Sequence, residues 1–446
     1  MRKYLFLFAL LVISFRVDSK TIYDSPDMNM SCFFKEAGVK YVLRFNHCLC
    51  DTLVIPEDCE LSFRGGSLSG VIVMQNTKLS GAVNLKGSTL LGSVKNKVFD
   101  ASWLCYMDGV TDDAANINNM IDVCGKVFFP KGSYRLISSY SPMGAVDEKY
   151  HSAIQAHIGI YNSKVQLIGE EGAELITDRP LGTLCVFSKP NQIESSIKNI
   201  KIEGLTFTVC NDGKKFHEFM HVIKIIGVNG LTIKKCRFND FWGDAICLSH
   251  YGDTPSTGER TRNQNVRIIN NHIEGGPHFN NRNGISIING SHVLIQNNVI
   301  KNTSRKDMPG GIDIEPNNSA YTIDDIRIVN NVLDNIRGGS GAIGVCVFDG
   351  GPAYNIRIER NKISRSQKGI QLYIMTENTT GNITLKNNTV AIDTYPYNFV
   401  GGGKSKNWVI TGNSFDRPVK QTIPGDVTVD NLIVRNNKKK RELSGS

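Results

Sequence analysis

The sequence predicts an all-β chain wound into a parallel β-helix solenoid with a short helix near its start. Three observations carry this: a repeat, an alternation within each copy, and the near absence of helical periodicity. The copies are "VRIINNHI" from Val266, "VLIQNNVI" from Val293, "IRIVNNVL" from Ile326, "IRIERNKI" from Ile356, "ITLKNNTV" from Ile383, "WVITGNSF" from Trp408 and "LIVRNN" from Leu432. The first and third residues of each are apolar and the sixth is an asparagine: Asn271, Asn298, Asn331, Asn361, Asn388, Asn413 and Asn437. Copies from Ile200 and Leu231 keep the apolar positions without the asparagine. Alternation at period two means strands, and a unit this small cannot bury its own face, so the units must stack. An asparagine one step past each strand reads as a turn residue near the left-handed conformation, able to bond along the stack.

The helix is expected in "MDGVTDDAANINNMIDVCGKVFFPKGSYRL", with Thr111 as N-cap, Asp112 and Asp113 in the first turn, and Ala114, Ile117, Ile121 and Cys124 on one face. A strand over 127–129 should follow, and the helix would cover an open solenoid end whose unpaired edge invites aggregation. These segments resemble the pectin-lyase-like superfamily, including pectate-lyase-superfamily, glycoside-hydrolase-related and phage tailspike-type proteins, in which a "DGVTDD" helix and a "FP.G.Y" strand open a right-handed parallel β-helix. The resemblance implies that fold for roughly residues 108–435. Polygalacturonases share the architecture, but "GDAI" carries one Asp instead of an adjacent pair, and no "GHG" or "RIK" follows.

The remaining organisation is expected as follows. Residues 1–19, with Arg2 and Lys3 before an apolar run, have the order of a signal peptide, so the protein should be secreted, periplasmic or cell-surface, without stable membrane insertion. Residues 20–100 form a small β-rich module of irregular strands, 101–437 the β-helix, and 438–446 a basic polar tail. Eleven scattered cysteines give neither a disulfide framework nor a paired metal knuckle. The formal charge of +9 sits largely in the first 19 residues and the tail, which argues against a nucleic-acid partner.

A second strand family lies between the copies: "HVIKII" from His221, "DAICLS" from Asp244, "NGISII" from Asn283, "GGIDIE" from Gly310, "GAIGVC" from Gly341 and "KGIQLY" from Lys368. Their third and fifth residues are apolar and should face the core, which turns Asp313 and Glu315 outward toward solvent. Strand stacking then lists surface columns: Lys224, Cys247, Ser286, Asp313, Gly344 and Gln371 in one, and His221, Asp244, Asn283, Gly310, Gly341 and Lys368 in another. Glycines 310, 311, 341 and 344 are read as clearing space for a ligand. The long connections beside this sheet hold His250, Arg282 and the aromatics Trp242, Tyr251, Phe279 and Tyr321, which could stack on sugars.

Asp244 and Asp313, two rungs apart, would stand about 9.6 Å from each other, and Asp313 and Glu315 about 6.5–7 Å. That suits a glycoside hydrolase with Asp313, Glu315 and Asp244 as catalytic carboxyls, because inverting enzymes need about 6.5–9.5 Å. Arg282, Asn283, His250, Lys224, Tyr251 and Tyr373 are the expected substrate-binding residues, a polysaccharide is the expected partner, and no cofactor is required. Two alternatives stay open. One is a polysaccharide lyase in which Asp244, Asp313 and Glu315 hold Ca²⁺ while Lys224 or Arg282 acts as base. The other is a glycan-binding surface protein without catalysis.

Overall fold

A computed structural model describes residues 20–141, 153–189, 197–252, 254–348, 350–415 and 427–439. The expected signal peptide lies outside them. The chain divides into two compact units, Met1–Asn96 and Lys97–Ser446. In the first, the strands Thr21–Tyr23, Lys40–Leu43, Glu60–Phe63 and Ser67–Gly81 pair parallel and in register. The irregular strands expected here are therefore a small parallel stack, with Tyr41, Leu61 and Leu79 superposed in its core.

The second unit is the predicted all-β parallel solenoid. One face is a 12-stranded sheet running from Phe99–Asp100 to Thr428–Arg435, and the repeat copies fill it from Ile197–Glu203 to that last strand. A second face stacks short strands such as His272–Glu274, Val299–Lys301 and Val332–Asp334. The third stacks Ile223–Ile226, Ile246–Leu248, Ile285–Ile287, Gly310–Ile314 and Gly341–Val347. On this third face Ile246, Ile285, Ile312, Ile343 and Ile370 are paired in succession and fully buried, so the inward register read from sequence holds.

The asparagines form a continuous ladder. Asn271 Nδ2 and its backbone N–H both donate to Asn298 Oδ1, at 3.0 and 2.9 Å, while Nδ2 also donates to the Ile233 carbonyl at 3.0 Å. The same side-chain link recurs from Asn298 through Asn331, Asn361, Asn388 and Asn413 to Asn437. The left-handed residue is not the ladder asparagine but the one before it: Asn270, Asn297, Asn330, Arg360, Asn387, Gly412 and Asn436 have φ between 54° and 69°. The turn uses one left-handed residue to bend the chain from the 12-stranded sheet onto the second face. That bend drops the next side chain into the interior, where its amide satisfies the backbone groups the turn strands.

The helix begins later than expected, at Ala114, and ends at Cys124 with Gly125 in the left-handed cap position. "DGVTD" is instead a strand, Asp108–Asp112. Asp113 caps no helix N–H through its side chain, which accepts the backbone N–H groups of Tyr106 and Met107 at 2.8 and 3.0 Å. Ala114, Ile117, Met120, Ile121 and Val123 are buried, and Asn118 ties the helix to the strand Ala156–Ile160 through the His157 carbonyl and the Gly159 N–H. At the far end, Lys438–Lys439 pairs with Ser414–Phe415, so the start of the expected tail is part of the sheet.

Candidate active site

The third face carries the acids, but it does not turn them to solvent. Asp244 and Asp313 are fully buried, and Glu315 keeps 20% of its side chain exposed. The glycines explain part of this. A methyl on Gly310 would lie 1.8 Å from the Gly341 carbonyl oxygen, and one on Gly311 would lie 2.8 Å from that of Ala342, so both permit close strand approach instead of clearing a ligand's path. A methyl on Gly344 would stand 3.1 Å from Ser340 Cβ and 3.4 Å from Asp313 Oδ1, so this glycine too lets the chain pack closely, here directly over an acid.

Arg282 organises the acids. Its guanidinium lies 3.6 Å from Asp244 Oδ2, 3.5 Å from Glu315 Oε2 and 3.8 Å from Glu218 Oε1, and its side chain is only 11% exposed. Burial works against its charge, yet Asp244, Asp313 and Glu315 hold it firmly protonated. A strand-start ladder positions Asp244: its backbone N–H donates to His221 Nδ1 at 3.0 Å, its Oδ1 accepts the Asn283 N–H at 3.0 Å, and Asn283 Oδ1 accepts the Gly310 N–H at 2.8 Å. His221 Nδ1 is thus an acceptor, and burial lowers the pKa of this histidine, so the ring is neutral. It cannot also donate to Asp244 Oδ2, 3.2 Å away, and that oxygen has no hydrogen-bond donor among the described residues.

The carboxyls divide in protonation. Burial pushes Asp244 up, but the charge of Arg282 and the Asn283 N–H act against it and hold its pKa below the usual carboxylate range. Burial first, then the charge of Glu315, drives Asp313 well above the usual carboxylate range; Glu315 is raised too, chiefly by burial and against the pull of Arg282. Among the described residues neither Asp313 oxygen has a geometric hydrogen bond, and the Glu315 carboxyl and Cys346 thiol face it, so the two acids can bond each other only by sharing a proton. Two rungs on in the same column, fully buried Gln371 has neither amide atom bonded.

Beside this group is a cavity of about 450 Å³ lined by His221, Lys224, Cys247, Ser249, His250, Tyr251 and Arg282, among others. Lys224, His250 and Arg282 thus meet as the sequence suggested. His250 is engaged through Nδ1 with the Tyr321 hydroxyl at 2.7 Å. Three expectations need correction. Asn283 is fully buried with both amide atoms committed to the protein, Nδ2 donating to Ser286 Oγ at 2.8 Å. Tyr251 packs into a core cluster with Phe187 and Ile226, and Trp242 and Tyr321 are buried too, so none of them presents an open stacking face. Phe279 lies under Arg337, 3.4 Å from its ring centroid. Tyr373, half-buried beside the exposed Phe348 at 5.8 Å, retains an aromatic surface.

Sequence reasoning placed His221 and Gln371 in the right columns without assigning them a role; their register was the available signal. Glu218 sits in a connection that carried none. His221, Asp244 and Cys247 bring three ligand-type atoms within 4.8 Å of one another. Arg282 already supplies positive charge to this carboxylate and His221 Nδ1 is taken by a backbone N–H, so the donor set does not suit a cation. For the same reason Asp244, Asp313 and Glu315 do not form an open calcium cage, because a guanidinium stands among them.

Residues 259–439 match the family described as a right-handed beta helix region. The second unit has the parallel β-helix architecture that this description names. Its architecture is similar to PfbA, a surface adhesin of Streptococcus pneumoniae, at 14% identity over 77% of this chain and 92% of that one, TM-score 0.48. It is similar also to a hyperthermoactive exopolygalacturonase from Thermotoga maritima, at 11% identity over 77% of this β-helix chain and 88% of that one, TM-score 0.46. The catalytic unit of a GH87 alpha-1,3-glucanase from Streptomyces thermodiastaticus aligns at 12% identity over 92% and 65% of the two chains, TM-score 0.45. No curated protein matches by sequence. The described part of the β-helix has no helix long and apolar enough to cross a membrane.

Proposed function

We propose that the protein is an exported glycoside hydrolase acting on a polysaccharide, with carboxyls as general acid and base. The observation that carries this reading is the opposed protonation of acids around one guanidinium: Asp244 ionised, and the Asp313–Glu315 pair holding a proton. Acid–base assignments follow from carboxyls whose surroundings push their pKa values apart. Glu315, the exposed member of its pair, is the acid, and Asp313 behind it keeps the shared proton available. Asp244, ionised beside Arg282, is the base. In the reaction, Asp244 takes a proton from water, the water oxygen bonds to the anomeric carbon, the glycosidic C–O bond breaks, and the leaving oxygen takes the proton of Glu315. Asp244 and Glu315 stand beside one guanidinium, at 3.6 and 3.5 Å, which brings both carboxyls to one site.

Lys224 and Arg282 in the cavity wall favour a substrate bearing carboxylates. The same wall supports a second reading, β-elimination, in which Arg282 neutralises a uronate and Lys224 removes the acidified proton. Incubation with acidic and neutral glycans, following reducing ends and ultraviolet absorbance together, separates the two. Reducing ends alone are expected. Both signals together mean elimination, and neither with any glycan overturns catalysis.

A further inference from the structure

The 12-stranded face carries a second groove, away from the acids. Two cavities of about 300 and 240 Å³ share Leu294 and Arg327 and so run together across the strands Asn263–Ile269, Gly290–Gln296, Ile323–Val329 and Ala353–Glu359. Register puts Arg267, Leu294, Arg327 and Arg357 in one outward column, because Val266, Val293, Ile326 and Ile356 beside them are buried. Strand spacing sets Arg327 and Arg357 about 4.8 Å apart at the backbone, and Arg267 about 9.6 Å from Arg327. Arg327 pairs with Asp325 at 3.2 Å and Arg360 with Glu359 at 3.2 Å. Arg267 and Arg357 have no ion-pair partner among the described residues.

We infer that this groove binds a linear carboxylated glycan lying along the solenoid axis, at a site separate from the acids. Guanidinium forks match carboxylates in two-pronged geometry, and the fixed column presents them at a periodic spacing that suits a polymer with a charge on its repeat. Leu294 between two arginines offers an apolar surface to a sugar ring. Asp325 and Glu359 in the walls can accept sugar hydroxyls and oppose a phosphate-dense chain. The groove lining contains no Phe, Tyr or Trp, so it lacks the stacking platforms with which single-stranded nucleic acid is held. The inference stands on this face alone and does not require that the chain cleaves what it binds.

The test is affinity electrophoresis of the full chain through gels containing polygalacturonate, alginate or a neutral glucan. The Glu315→Gln background prevents depletion of the polymer. Retention by the polyuronates and not by the glucan is expected, together with a loss of about tenfold or more in affinity for Arg267→Ala/Arg357→Ala, since two charge-assisted contacts disappear. Added salt should weaken the retention. Both arginines are exposed, so the melting temperature should stay unchanged. With Glu315 intact, turnover of a short oligosaccharide should also stay unchanged, which separates this site from the acids. Equal retention of the double variant and its parent overturns the inference. So does neutral glucan binding of the same strength, or single-stranded DNA held as tightly as polyuronate.

Discussion

Two polar columns run along the same solenoid, and they differ in how completely they are bonded. At the asparagine turn every interior amide both donates and accepts within the protein, rung after rung. On the third face, Asp244 Oδ2, Arg282 Nε, both Asp313 oxygens and both Gln371 amide atoms are buried without a geometric hydrogen bond. A stack can satisfy its polar interior, as the turn proves, so the incomplete column is not a cost imposed by the fold. Unpaired buried groups cost about 1–3 kcal/mol each, and a chain retains them where something other than stability uses them.

The largest effect should come from removing Asp244. Asp244→Ala leaves Arg282 buried without its nearest deep partner and the Asn283 N–H without an acceptor. A loss of about 3–5 kcal/mol in denaturant unfolding is expected. A loss below 1 kcal/mol would mean that Glu315 and Glu218 already balance the guanidinium.

Glu315→Gln preserves shape and removes a proton. Turnover should fall at least ~100-fold while substrate binding is largely kept. Stability should change little, since this side chain is the exposed one of the pair. Full activity would dissolve the functional side of the comparison.

The satisfied column gives the converse. Asn331→Ala breaks the ladder at its middle, stranding the Asn298 amide and the Ile295 carbonyl. It should cost about 2–3 kcal/mol in denaturant unfolding without changing turnover per folded molecule. If Asn331→Ala lowered turnover at full folding, the two columns would not be separable.

The remaining effect concerns pH. The folded-state pKa of Asp313 is raised above its unfolded value, so its stability term is most favourable below the unfolded pKa near 4. That term declines as pH rises toward the folded value and then levels off. Asp313→Asn has no such term. Its melting temperature relative to wild type should therefore climb from pH 4 upward and level off once the pH passes the folded value. A difference independent of pH would show that Asp313 titrates normally.

Much of this was legible because period-two patterning fixes which side chains point inward. Ile312 and its four partners were identifiable from spacing alone, and the same register set Gln371 in the column of Asp313. Solvent exposure was not legible. Alternation says that Asp313 points away from the core, but whether its column is roofed depends on connections such as 212–221 and 276–283, whose conformation no periodicity encodes. Tyr251 was misread on the same account: a loop aromatic near a groove looks like a sugar platform until the loop folds it against Phe187. The ladder turn was misread by one residue, because Asn is the residue type favoured both for a left-handed position and for an interior amide bridge, and "NN" contains both.

Parallel stacking also turns the site into a ruler with fixed graduations. A residue exchanged between coils moves by about 4.8 Å or a multiple of it, and by nothing in between. Retaining glycosidases require their carboxyls about 5–5.5 Å apart and inverting ones about 6.5–9.5 Å, which correspond roughly to one graduation and two. For the proposed hydrolase, a carboxyl moved between coils would therefore approach or leave its partner in steps of that size. Moving the proposed acid from Glu315 to the preceding coil, at Ile288, would shift it by one graduation and leave the stacked Ile285 and Ile312 in place.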